Sequence, residues 1–298
     1  MSNKTAALPA SHVLMAVAVM AVWGSNFVII KFALAHLPPL FFAALRFALA
    51  FFPAVLFVKR PQVPWTHLAA YGVLIGAGQF GVLYIAMEHD ISPGLASLVI
   101  QTQVFFTIGL AMLATKERVA AYQWAALVLA AGGLAIIVMR RGGDVTVLGL
   151  GLTLLAAFSW ASGNIVARAS SGVNMLAYVI WSSVFAVPPL MLLSLAFDGW
   201  PAIVTGFENA DAATWAAVAY QSFGNTLFGY GVWAWLMARH PAATVSPFAL
   251  LVPVFGMGTA ALALGEPLQP WKIEAAALVM SGLAINLVWP RLRRRAVA

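Results

Sequence analysis

Long apolar stretches, almost free of charge, follow one another along this chain. A stretch of about 20 such residues is what an α-helix needs to cross the hydrocarbon core of a bilayer. The sequence predicts ten of them, over 12–33, 39–58, 66–87, 92–113, 119–139, 147–168, 174–197, 213–238, 243–264 and 270–290. The joints are short and often hold Pro or Gly, as in HLPP at 36–39, KRPQVP at 59–64 and ISPG at 91–94. The longest, 198–212, cannot fold alone, which leaves no room for a soluble catalytic or nucleotide-binding domain. Of the 298 residues, 63% are hydrophobic and 8% charged, against about 25% charged in a soluble domain. So few charges cannot cover a water-facing surface. The expected fold class is an all-α integral membrane protein with ten transmembrane helices.

Lysine and arginine predict the orientation. With the N-terminus in the cytoplasm, Lys4, Lys59, Arg60, Lys116, Arg118, Arg168, Arg239, Arg291, Arg293, Arg294 and Arg295 fall inside. Lys31, Arg140, Arg141 and Lys272 fall outside, and Arg46 lies within a stretch. Both termini are therefore expected in the cytoplasm, with the RLRRR tail an anchor at an anionic leaflet. The opening MSNKTAALPASH has a single lysine and no basic region before a cleavage site, so the first apolar run reads as a retained span. The net charge of +7 is spread singly or in short groups and does not predict a nucleic-acid partner. The absence of cysteine removes disulfides, thiolate metal sites and thiol nucleophiles.

The chain also repeats itself. WGSNFVIIK at 23–31 is echoed by WASGNIVAR at 160–168. At a shift of 149 residues, EPLQPWKIEAAALVMSGLAI (266–285) lies over ERVAAYQWAALVLAAGGLAI (117–136), and Tyr220 over Tyr71. The nonapeptides match at a shift of 137, so the second copy has gained residues, most simply in 198–212. Each copy, 1–140 and 141–298, holds five stretches. Five is odd, so the second copy enters the membrane upside down. Inverted repeats with a midplane site between them typify secondary transporters.

WGSNFVIIK in the first stretch, LRFALA (45–50) in the second and KERV (116–119) before the fifth, in that order and on a duplicated five-helix unit, resemble the drug/metabolite transporter superfamily. The resemblance covers nearly the whole chain. It is to the bacterial ten-helix exporters with two EamA-type repeats, and most of all to the aromatic amino acid exporters among them. It implies a bacterial inner membrane, outward transport, and a central cavity walled by the first four helices of each repeat, with the fifth and tenth at the periphery.

An ionisable residue inside a membrane is costly and points to function. The nine acidic residues and five histidines all fall in loops or near the ends of stretches, and Arg46 alone is mid-span. That leaves no carboxylate pair or Ser/His/Asp group for an enzyme, no metal cluster and no membrane-centre proton relay. No cofactor is expected. Arg46 has two readings: a bidentate hold on a substrate carboxylate, or a structural partner for backbone carbonyls. The other candidates for substrate binding are neutral. They are Trp23 and Asn26, then Gln79 and Tyr84, then Gln101, Trp160, Asn164, Trp181, Gln221 and Asn225. Gln101 is preferred to Gln103, about 200° round an α-helix, because it shares a side with Gly94 and Ser97. Each also has a plainer reading, since Asn and Gln bond between helices and many tryptophans anchor at interfaces. Pro53, Pro188, Pro189, Pro247 and Pro253 interrupt the stretches and can kink or hinge them.

A polar, uncharged lining suits a neutral or zwitterionic substrate with an apolar part, and suits phosphates poorly. The leading expectation is a secondary transporter exporting amino acids, aromatic or other neutral ones, by alternating access. Broad efflux of amphipathic drugs is the alternative. The expected partners are a small-molecule substrate and the lipid bilayer, with monomer and homodimer both open.

Overall fold

The computed structural model describes residues 8–115, 120–140, 143–170, 172–240 and 242–297. Lys4, the KERV segment at 116–119 and Arg141 lie outside the described residues, as do the side chains of the RLRRR tail. The described chain is helical. Its helices are α1 (Ala10–Ala33), α2 (Pro39–Phe51), α3 (Trp65–His89), α4 (Pro93–Leu113), α5 (Ala121–Met139), α6 (Val147–Arg168), α7 (Met175–Phe197), α8 (Gly199–Asn209), α9 (residues 212–239), α10 (Ser246–Leu264) and α11 (Pro270–Val297). Among the described residues the one extended pairing is a single bridge between Ile91 and Val145.

Nine of these helices are long and apolar enough to cross a membrane, all except α8 and α9, with α2 counted together with the 3₁₀ turn Ala54–Leu56. The stretch 213–238 does form an unbroken helical run. Gln221, Ser222, Asn225 and Thr226 in its middle make it more polar than the other nine. The joint 198–212, read from sequence as a loop, instead carries α8. Gly199 turns the chain into it at φ +79°, a conformation open to glycine. Its Ile203 and Gly206 are buried, Gly206 against the α1–α2 joint, while Trp200 and Phe207 remain exposed. That is the division of an interfacial helix.

Helix ends follow local chemistry. Pro39 and Pro93 open α2 and α4 at positions where the missing N–H costs nothing. Thr146, Asn174 and Asp211 accept backbone N–H bonds at the starts of α6, α7 and α9. Pro53 follows the end of α2, whereas α7 runs through Pro188 and Pro189. Two stretches, Leu74–Gly81 in α3 and Tyr220–Gly229 in α9, are π-helical. Such widened turns are rare and recur at functional sites.

The helices pair in a definite pattern. α1 lies along α10 and α4 along α6; α1 crosses the middle of α9, and α6 the middle of α3; α2 packs on α7, and α5 runs beside α11 at the edge. In the α1–α10 contact the two helices approach closely at glycine. A Cβ built on Gly24 would lie 2.4 Å from Phe255 Cβ and 2.7 Å from the Val252 carbonyl oxygen. Around Gly258, by contrast, nothing lies within 4 Å of the same position. Gly24→Val is therefore expected to cost about 1–3 kcal/mol through overpacking, and Gly258→Ala almost nothing. Melting curves of the two purified variants in one detergent check the contrast.

Candidate functional site

Arg46 sits in the middle of α2 with 1% of its surface exposed. Its guanidinium donates to the Tyr84 hydroxyl at 2.9 Å and to the Thr226 hydroxyl at 3.1 Å. Its flat face lies 3.7 Å from the centre of the Phe80 ring, with Phe47 at 5.1 Å. Phe42 stacks on Tyr84 from the other side, ring centres 4.8 Å apart. The Nε hydrogen has no partner, and among the described residues no carboxylate pairs with this charge.

The bonds continue directionally from there. Tyr84 donates to Gln221 Oε1 at 3.3 Å, and Thr226 donates to the Gln221 carbonyl oxygen, five residues back along the π-helical turn, at 3.0 Å. Asn225 Nδ2 reaches Gln221 Oε1 at 3.2 Å and Asn26 Oδ1 at 3.0 Å. Gln221 Nε2 reaches the Asn26 carbonyl oxygen at 3.5 Å. Trp23 closes the network by donating to the Asn225 carbonyl oxygen at 3.2 Å. Its indole fits only because residue 229 is glycine, where a Cβ would meet Trp23 Nε1 at 2.3 Å. Trp23, Asn26, Arg46, Tyr84, Gln221 and Asn225 thus form one network across α1, α2, α3 and α9.

The remaining candidates stand apart from it. Gln79 is buried on α3 with its Oε1 unpartnered. Asn164 donates to Gln103 Oε1 at 3.0 Å, tying α6 to α4, while Gln101 is buried separately and Trp160 is half-buried. Trp181 donates to the Val58 carbonyl oxygen at 3.0 Å and meets Phe51 and Trp65 edge-on.

A small cavity lies against Arg46, with space for roughly one water molecule. Phe47, Phe80 and Thr226 line it beside Arg46; Tyr71, Ser182, Ser183 and Tyr230 line it from α3, α7 and α9. The Ser182 hydroxyl is buried without a partner. Thr226, Ser182 and Tyr230 are additions to the residues singled out by sequence. Thr226 ends the polar QSFGNT run, and Ser182 adjoins Trp181. Among the described residues no His, Asp and Glu gather as metal ligands.

A second polar cluster joins helix ends at one rim. The buried Lys272 ammonium is 3.0 Å from Glu266 Oε1 and 3.2 Å from Asp144 Oδ2. Glu266 also accepts from the Ser92 hydroxyl at 2.6 Å and the Gly94 amide at 3.0 Å, so its charge lies at the positive end of α4. Lys31, at the end of α1, donates to the carbonyl oxygens of Met87 and Glu88 near the end of α3. Lys272→Ala leaves two carboxylates facing each other in a largely buried place. The expected cost is about 3–5 kcal/mol, read as a lowered melting temperature, with Lys272→Arg recovering most of it.

Comparison with known proteins adds to this geometry. The sequence profile of the EamA-like transporter family matches residues 10–139 and again 147–288. A Salmonella typhimurium protein described as a probable amino-acid metabolite efflux pump is 41% identical over 288 residues, covering 95% of this chain and 96% of that one. An Escherichia coli protein of the same description is 40% identical over 286 residues, covering 94% and 96%. A Streptantibioticus cattleyicolor protein described as a probable terminal-alkyne amino-acid exporter is 26% identical over 235 residues, covering 77% and 76%. A solved crystal structure shares the fold at a TM-score of 0.64 and 17% identity, covering 98% of this chain and 100% of that one.

Proposed function

We propose that this chain, which belongs to the EamA-like transporter family, exports amino acids, aromatic or other neutral ones, by alternating access between two inverted repeats. The observation that carries the reading is the network around Arg46. It is buried, polar, free of carboxylates, and drawn from helices of both halves, α1 to α3 and α9. Its members are polar groups that orient a small solute and aromatic rings that cover its apolar part. The amino-acid efflux named for the Salmonella and Escherichia relatives favours the same substrate class.

The helix pairing supports the inverted arrangement. Taking 1–140 and 141–298 as the repeats, α6 corresponds to α1, α7 to α2, α9 to α3, α10 to α4 and α11 to α5. Exchanging the halves turns the α1–α10 contact into α6–α4 and the α1–α9 contact into α6–α3, while α2–α7 and α5–α11 map onto themselves. Under this reading α9 is the tenth membrane-crossing helix. Both termini lie in the cytoplasm, and the Lys272–Glu266–Asp144 cluster lies at the outer rim. There it ties Ser92 and Gly94 of the first repeat to residues of the second, and it must part when the path opens outward. The cavity beside Arg46 is too small for an amino acid as it stands, so loading requires the surrounding helices to separate.

Purified protein in liposomes, offered a panel of labelled amino acids, tests the reading. Protein-dependent, saturable flux of phenylalanine, with competition among aromatic amino acids, is the expected result. Flux of cationic dyes alone would replace amino acid export by drug efflux, and no flux of any solute would end the transport reading.

A further inference from the structure

Two buried polar groups face the same small cavity and lack partners: the Arg46 Nε hydrogen and the Ser182 hydroxyl, on side chains each 1% exposed. A buried cation without a counter-charge is costly, and buried donors are normally satisfied. The guanidinium carries five N–H donors. Tyr84 and Thr226, both neutral, each accept one bond from it. No aspartate or glutamate lines the cavity; its other walls are ring faces, aliphatic carbon and hydroxyls.

We propose that Arg46, helped by the Ser182 hydroxyl, is the anchor for a substrate carboxylate, and that this carboxylate is the one charged group the substrate must carry. The proposal rests on the transport reading and deepens it. A carboxylate in the cavity takes the free Nε hydrogen and a further guanidinium hydrogen as a charge-assisted pair, and Ser182 supplies a third donor. The rings of Phe47, Phe80 and Tyr230 cover the apolar body. The substrate's ammonium, where present, finds no anion here and feels the repulsion of Arg46, so it meets only hydroxyl oxygens and ring faces. Transport therefore depends on the carboxylate and tolerates loss of the ammonium charge. The ligand class is that of apolar or aromatic monocarboxylates, N-acylated amino acids included, beside the amino acids themselves.

The test uses the full chain in liposomes preloaded with phenylalanine. External N-acetylphenylalanine and phenylalaninamide are compared, each as a labelled counterflow substrate and as a competitor of labelled phenylalanine. The first compound keeps only the carboxylate charge, the second only the ammonium. N-acetylphenylalanine is expected to be carried and to compete, with phenylalaninamide weaker by about tenfold or more, the worth of one or two charge-assisted bonds. Arg46→Gln is expected to raise half-saturation for both carboxylates by a similar factor and to narrow the gap between the two analogues. Ser182→Ala, a smaller perturbation for which folding is less at risk, is expected to weaken both carboxylates severalfold. Phenylalaninamide matching N-acetylphenylalanine in the unaltered protein overturns the proposal whatever the variants do. So does a folded Arg46→Gln protein with unchanged half-saturation. If phenylalanine moves but its N-acetyl form does not, the carboxylate proposal falls and the transport reading stands. If no solute moves, both fall.

Discussion

A single buried guanidinium, with no carboxylate paired to it among the described residues, organises the interior of this protein. Removing such a charge from water costs several kcal/mol, and the fold offsets that with neutral oxygens and ring faces. Tyr84 and Thr226 accept from Arg46 and pass their own hydrogens on to Gln221, so both hydroxyls are satisfied as donor and acceptor. Because these partners come from α3 and α9, the charge fixes where those helices stand relative to α2. The π-helical turns of α3 and α9 serve the same end. They widen the helix at the depth of the network, and in α9 the side chains of Gln221, Asn225 and Thr226 fill that stretch. The cost in regularity falls where the polar groups are needed.

Much of this was written in the sequence. Apolar length marked nearly every membrane helix, and the rarity of mid-span charge marked Arg46. Polar residues recurring every three or four positions in 213–238 pointed to Gln221 and Asn225, and the same polarity sets α9 apart from the other nine helices. What escaped did so for identifiable reasons. An 11-residue amphipathic helix, α8, is shorter than any apolar threshold and shows itself only through what Ile203 and Gly206 bury. Hydroxyls in apolar helices usually bond back to their own turn, as Ser183 and Ser222 do with Val179 and Val218. Composition does not distinguish them from Ser182, whose hydroxyl stays free.

An α-helix sets Gln101 and Gln103 two steps of 100° apart. The chain takes a 3₁₀ turn through Ile100–Thr102, where the step is about 120°, so angles carried across it drift. It is Gln103 that meets Asn164. Trp181 lies well inside α7 yet meets the chain just beyond a neighbouring helix. α2 stops at Phe51, and the segment after it brings the Val58 carbonyl to the indole. A residue's depth along its own helix does not give its depth in the bundle.

The two buried clusters differ in sign. Around Arg46 the sum is one positive charge; at the rim, Glu266 and Asp144 outnumber Lys272 by one. The half-charge at the start of α4 softens that excess without cancelling it. Under the proposed outward route, an anion leaves a positive pole for a rim where carboxylates are in excess, and a cation meets the reverse. Under that reading selection by charge belongs to the separation of two fixed poles and not to one binding site, and salt screens the rim pole more than the buried one.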